Sequence, residues 1–165
     1  MTLRAAERVQ SEGVNLAAVH ATALVIGETG LLMHGPSGAG KSSLALALIN
    51  LAHARGQFAR LIGDDRILLS VVHGRLVARP HARIAGQMEQ RGRGIIAMDH
   101  EPAACIRARI DLVHPEPGRD IPPRLPSGAD SFVTIGSMVL PRLMIPAGVS
   151  LETSARHVLA FLSGI

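Results

Sequence analysis

At 165 residues, 47% of them hydrophobic, the chain is long enough for one domain with a real core, and its single cysteine, Cys105, excludes an internal disulfide or a multi-cysteine zinc site and reads as an inert core thiol. The net charge of +4 comes from arginines scattered along the chain, and with Phe58, Phe132 and Phe161 as the only aromatics this points to a solvated basic surface and away from nucleic acid as a partner. No apolar run approaches the roughly 20 residues that span a bilayer, and MTLRAAERVQSEG at the start lacks the apolar segment of a secretory signal, so a cytoplasmic protein without membrane contact is expected.

Residues 14–35 read as short apolar strands separated by a turn at Gly27 to Gly30. KSSLALALINLAHARG is a helix, with Leu44, Leu48 and Leu51 along one face and Gly56 placed to end it. FARLIG (58–63) is a short buried strand that runs into Asp64 and Asp65, and RILLSVV and RLVAR form a hairpin about His73 and Gly74. CIRARIDLV (105–113) alternates as a half-buried strand does, and the five prolines of 114–128 require a loop. SFVTIGSMVLPRLMIP returns to strand, and an amphipathic helix capped by Ser150 follows. The expected fold is α/β: a central, mostly β sheet carrying a P-loop helix and a C-terminal helix, with residues 1–165 as one domain.

The chain holds one lysine among its 17 basic residues, and it stands in HGPSGAGKSS. Gly35, Pro36, Ser37, Gly38, Ala39, Gly40, Lys41 and Ser42 fit G-x-x-x-x-G-K-[ST] after an apolar strand and at a helix start, the setting of a phosphate-binding loop, and Ser43 extends the cradle. The glycines let backbone N–H groups turn toward a polyphosphate, and the helix N-terminus adds a partial positive charge. A compact ammonium fits between β- and γ-phosphates where a planar guanidinium is too broad, which accounts for lysine in an arginine-rich chain. Ser42 then offers its hydroxyl to Mg²⁺, and ATP is the expected nucleotide. A guanine-specificity Asn-Lys-x-Asp segment is impossible without a second lysine.

A phosphate cradle does not by itself choose a reaction. The LIGDD stretch narrows the choice, because adjacent residues of extended chain face opposite sides, so one carboxylate can serve the metal while the other faces an acceptor hydroxyl.

In this order His20, GPSGAGKS, IGDD, EQRGRGI and VLPRLMIP resemble the catalytic domain of HPr kinase/phosphorylase, in its short form without an N-terminal domain, known from alphaproteobacteria. The resemblance runs from about His20 to Pro146 and implies an ATP-dependent protein-serine kinase acting on the phosphocarrier protein HPr, in control of the phosphotransferase system and carbon metabolism, assembled as a hexamer. It implies an active-site role for His20, phosphate contact for Lys41, magnesium ligation by Ser42 and Glu89, a metal or water partner in Asp64, proton acceptance by Asp65 and a catalytic arginine in Arg124. Unaided, His20 reads as a strand histidine and Glu89 as a surface residue. The family's PVRPGR segment, associated with dephosphorylation, stands here as IPAGVS without its arginine. A small-molecule P-loop kinase and a non-catalytic ATP-sensing module are the rival readings; the second would not need the aspartate pair.

Overall fold

The computed structural model describes residues 13–114 and 127–165. Two apolar runs, TALVI and TGLLMH, form β2 (Thr22–Ile26) and β3 (Thr29–His34), an antiparallel pair that follows the short β1 (Val14–Asn15). The turn between them is tighter than the expected Gly27 to Gly30: Gly27, with φ 57°, and Glu28 suffice, because β3 pairs from Thr29 onward. Helix α1 (Lys41–Ala54) leaves β3 through the glycine-rich loop, and β4 (Ala59–Gly63) returns beside β2. The predicted hairpin is β5 (Ile67–Val72) and β6 (Arg75–Pro80), turning on His73 and Gly74, both left-handed. A 3₁₀ turn (Ala82–Ile84) leads to a separate two-stranded ribbon, β7 (Gln87–Gln90) and β8 (Gly94–Ala97), which the sequence did not announce. Then come β9 (Ala104–Val113), the hairpin β10 (Phe132–Ile135) and β11 (Met138–Pro146), and α2 (Leu151–Leu162), whose N-terminus Ser150 caps by accepting from the Thr153 N–H.

The main sheet has nine strands in the order β1-β5-β6-β9-β3-β2-β4, with β11 paired to β9 and β10 to β11. Strands β3, β9 and β11 are parallel neighbours, and their C-terminal ends lie together. Alternation along β3 sorts the core: Leu31 and Met33 face α1 and α2 among Leu44, Leu48, Ile110 and Val158, whereas Leu32 faces the opposite layer with Ile62, Leu69 and Leu140.

Two expectations are refined. Strand β9 alternates as expected from Ile106 to Ile110, with Ile106 and Ala108 buried and Arg107 exposed, but with strands on both edges its end from Ile110 through Leu112 is continuously buried, Asp111 included. Cys105 is partly exposed, at the start of β9 where β6 pairs with it, so it is not a core thiol.

Candidate active site

The phosphate-binding loop begins where β3 meets the end of β9. A Cβ on Gly35 would lie 2.6 Å from the Leu112 carbonyl oxygen, so only glycine lets the chain cross β9 here. Gly40, at φ 94°, makes the left-handed turn into α1, and its N–H groups open the helix without a side-chain cap. Lys41, the first residue of the helix, is buried, and its Nζ donates to the Gly35 carbonyl at 2.9 Å, to the Pro36 carbonyl at 3.0 Å and to His20 Nε2 at 3.2 Å. Burial pushes the ammonium below the ordinary lysine range, against the pull of Asp64 and Asp65.

The two aspartates diverge, but not in the way extended chain would make them. Asp64 follows β4 into the interior: Thr22 Oγ1 donates to its Oδ1 at 2.6 Å and Ser42 Oγ to its Oδ2 at 2.9 Å. Asp65 has φ 68°, and this left-handed step turns its side chain out to 72% exposure. His20 Nδ1 stands 2.9 Å from Asp65 Oδ1 and 3.1 Å from the Asp65 carbonyl oxygen. With Nε2 receiving Lys41, the ring carries its hydrogen on Nδ1 and faces both groups. His20 is thus the one side chain that bridges the lysine and the outer carboxylate.

These residues line a cleft of about 360 Å³. Its opposite wall is the β7–β8 ribbon, which presents Glu89 and, just past β7, Arg91; a Cβ on Gly38 would lie 3.0 Å from Arg91 Nη2. The expected site residues Ser37, Gly38, Gly40, Lys41, Ser42 and Ser43, with His20, Asp64, Asp65 and Glu89, therefore converge, while Ala39 does not line this cleft and Gly35 and Pro36 supply the carbonyls that hold Lys41. Arg124 lies outside the described residues. Sequence reasoning missed Arg91 and a second polar cluster beside the loop. Buried Asp111 accepts from Arg109 Nε at 2.6 Å and from Arg142 Nε, and Arg109 Nη2 donates to His34 Nδ1 at 3.0 Å. Burial, reinforced by Arg109, pushes the His34 ring below the usual histidine range, with Asp111 opposing. Only the pairing of β3, β9 and β11 brings these four together, and no local spacing encodes it.

Among the described residues no three His, Cys, Asp or Glu side chains gather as a metal cluster. The Ser42 hydroxyl, the Asp64 carboxylate and Glu89 instead form a sparse oxygen set in one cleft, which suits a small hard cation that keeps several waters and bridges to phosphate.

The family model described as HPr Serine kinase C-terminal domain matches residues 14–109, more than half of the chain. This chain belongs to that family. Among relatives of the HPr kinase family, an HPr kinase/phosphorylase from Aromatoleum aromaticum is 34% identical over 175 aligned residues, covering 96% of this chain and 52% of the relative. Another, from Mycoplasma mycoides subsp. mycoides SC, is 32% identical over 145 residues, covering 80% of this chain and 43% of the relative. The chain thus spans about half the length of these curated relatives. A solved member, the HPr(Ser) kinase/phosphatase from Coxiella burnetii, superposes with a TM-score of 0.66 at 27% identity, over 90% of this chain and 94% of that one. The α/β fold read from the sequence is the family's fold.

Proposed function

We propose that residues 1–165 constitute one catalytic domain that transfers the γ-phosphoryl group of ATP to a serine hydroxyl of the phosphocarrier protein HPr. The observation that carries this reading is the pairing of a buried, pre-bonded Lys41 with an exposed carboxylate, Asp65, linked through a single histidine. A module that only sensed ATP would have no use for the second carboxylate.

The residues fit both groups. For the nucleotide there is a loop with glycine at positions 35, 38 and 40, a helix start behind it and a buried ammonium. For Mg²⁺ there are Ser42, Asp64 and Glu89, and when bound it would neutralise charge on the phosphate oxygens. Lys41 exchanges the Gly35 and Pro36 carbonyls for phosphate oxygens, and the loop amides hold the rest of the chain of phosphates in place. Asp64, with its oxygens already engaged by Thr22 and Ser42, serves the metal side and is a poor base. Asp65 is free to approach the acceptor. It takes the proton from the serine Oγ as that oxygen attacks phosphorus and the bond to the ADP oxygen breaks. His20 keeps the carboxylate aimed through Nδ1 while its Nε2 accepts from Lys41.

The reading includes a cytoplasmic enzyme, a hexameric assembly and a role in the phosphotransferase system. Reverse phosphorolysis is the weaker activity in this reading, since Ile145 to Ser150 carries no arginine to meet an incoming phosphate. The protein incubated with labelled ATP, Mg²⁺ and purified HPr should place label on an HPr serine, mapped by peptide mass spectrometry. Label on small metabolites only, or nowhere, would overturn the proposal.

A further inference from the structure

The β7–β8 ribbon carries one cation over the phosphate-binding loop to which the reaction above gives no part. Met88 of β7 is buried in the same core cluster as Leu44 and Leu48 of α1, which pins the ribbon beside the start of that helix. Side chains alternate along extended chain, so with Met88 turned to the core, Glu89 and then Arg91 turn to the cleft, and both line it. Arg91 opens the turn Arg91, Gly92 and Arg93 between the paired Gln90 and Gly94, and the Arg93 N–H closes that turn by donating to the Gln90 carbonyl at 3.0 Å. The Arg91 side chain reaches back across the cleft: apart from its chain neighbours, the one atom within 4 Å of where a Gly38 Cβ would be is Arg91 Nη2, at 3.0 Å.

Resting on the proposed phosphoryl transfer, we propose that Arg91 is a further catalytic residue, which donates to the oxygen joining the β- and γ-phosphates as that oxygen leaves the γ-phosphorus. The first support is position. Gly38 lies midway between Gly35 and Lys41 on the loop whose amides cradle phosphates, so a guanidinium against it stands over the phosphate chain, and Arg91 is the one arginine among the described residues that lines the cleft with Lys41, Asp64 and Asp65. The second is availability. The Arg91 side chain enters no ion pair or hydrogen bond among the described residues although three carboxylates line the same cleft, whereas Arg93, on the same turn, spends Nη1 on Gln90 Oε1 at 3.1 Å. The third is chemistry. A planar, permanently charged guanidinium presents two parallel N–H groups, which suits charge spread between the leaving oxygen and the γ-phosphoryl oxygens in a loose transition state. As the acceptor Oγ bonds to phosphorus, the bond from phosphorus to the bridging oxygen breaks and its electron pair stays with ADP. Arg91 stabilises that growing charge and keeps its own protons, while the hydroxyl proton passes to Asp65. An interaction that strengthens only as the charge develops raises the rate without tightening ATP.

Arg91→Ala should lower transfer from ATP to HPr by about 10³-fold, with ATP affinity by calorimetry within a few-fold of the unaltered protein and the thermal midpoint unmoved, since the side chain is exposed. Arg91→Lys should recover little of the rate, because an ammonium has no fork to span two oxygens. Added guanidinium ion should restore part of the rate to Arg91→Ala and methylammonium none, a rescue that a merely structural side chain would not show. Binding of ADP with Mg²⁺ and aluminium fluoride, which mimics the transferring phosphoryl group, needs no acceptor: the fluoride should tighten ADP on the unaltered protein and fail to do so on Arg91→Ala. Transfer that survives Arg91→Ala, ATP affinity that falls in step with the rate, or a fluoride complex equally tight on both proteins would overturn the assignment. If the unaltered protein binds no ATP, the nucleotide reading fails and this one with it; if it binds ATP but labels no HPr serine, the acceptor reading alone fails and the fluoride complex still decides Arg91.

Discussion

The two walls of the catalytic cleft are built in opposite ways. On the loop side, Lys41 and Asp64 are buried and each is already held by at least two partners: two carbonyls and a histidine for the lysine, two hydroxyls for the carboxylate. On the ribbon side, Glu89 and Arg91 are exposed on a two-stranded β pair whose one fully buried side chain is Met88. The loop wall is therefore preorganised, with its electrostatics set before any ligand arrives. The ribbon wall can adjust to a ligand at small energetic cost. Binding of phosphates should depend on the first wall and completion of the metal site on the second.

Breaking the first wall should have the largest effect. Lys41→Met removes the only ammonium in the cleft and should weaken ATP by about a hundredfold or more in calorimetry, since charge-assisted contacts to phosphate are among the strong ones. Arginine at this position should not rescue binding, because its planar fork has no room between the Gly35 and Pro36 carbonyls. Glu89→Gln sharpens the contrast: the Mg²⁺ concentration needed for half-maximal transfer should rise by about tenfold while the thermal midpoint stays put, as expected for an exposed ligand. An unchanged Mg²⁺ requirement would remove Glu89 from the site.

The smallest effect lies beside the loop, at His34. Its ring titrates below the usual histidine range in the folded protein, so the folded state binds fewer protons than the unfolded one, and stability should fall as pH drops below about 6.5. Protonation would also remove the acceptor that Arg109 Nη2 uses. His34→Gln should flatten that acid limb in thermal melts recorded across pH, with little change above neutrality. An identical acid limb in the variant would show that His34 does not carry it.

What the sequence disclosed follows the range of the interactions. The loop from Gly35 to Ser43 is local: residue type, spacing and the strand-to-helix setting all lie within a dozen positions, so its place between β3 and α1 was legible. Asp64 and Asp65 were legible as a pair, yet the left-handed backbone at Asp65 that separates their environments was not, since nothing in LIGDD requires it. Glu89 was read from a resemblance and not from its own surroundings, because QMEQ and GIIA are short, polar or glycine-bounded strands with Met88 as their buried anchor. The cluster of Asp111, Arg109, Arg142 and His34 is invisible in one dimension; it exists through cross-strand register, with His34 opposite Asp111 and Arg142 opposite Arg109.

The central claim is a division of labour between neighbouring carboxylates, the buried one with the phosphates and the exposed one with the acceptor. Asp65→Asn tests it when transfer to HPr and ATP affinity are measured on the same preparation. Transfer should fall by about 10²- to 10⁴-fold, the usual worth of a general base, with ATP affinity within a few-fold of the unaltered protein. Transfer that survives the substitution, or affinity that collapses with it, would contradict the account.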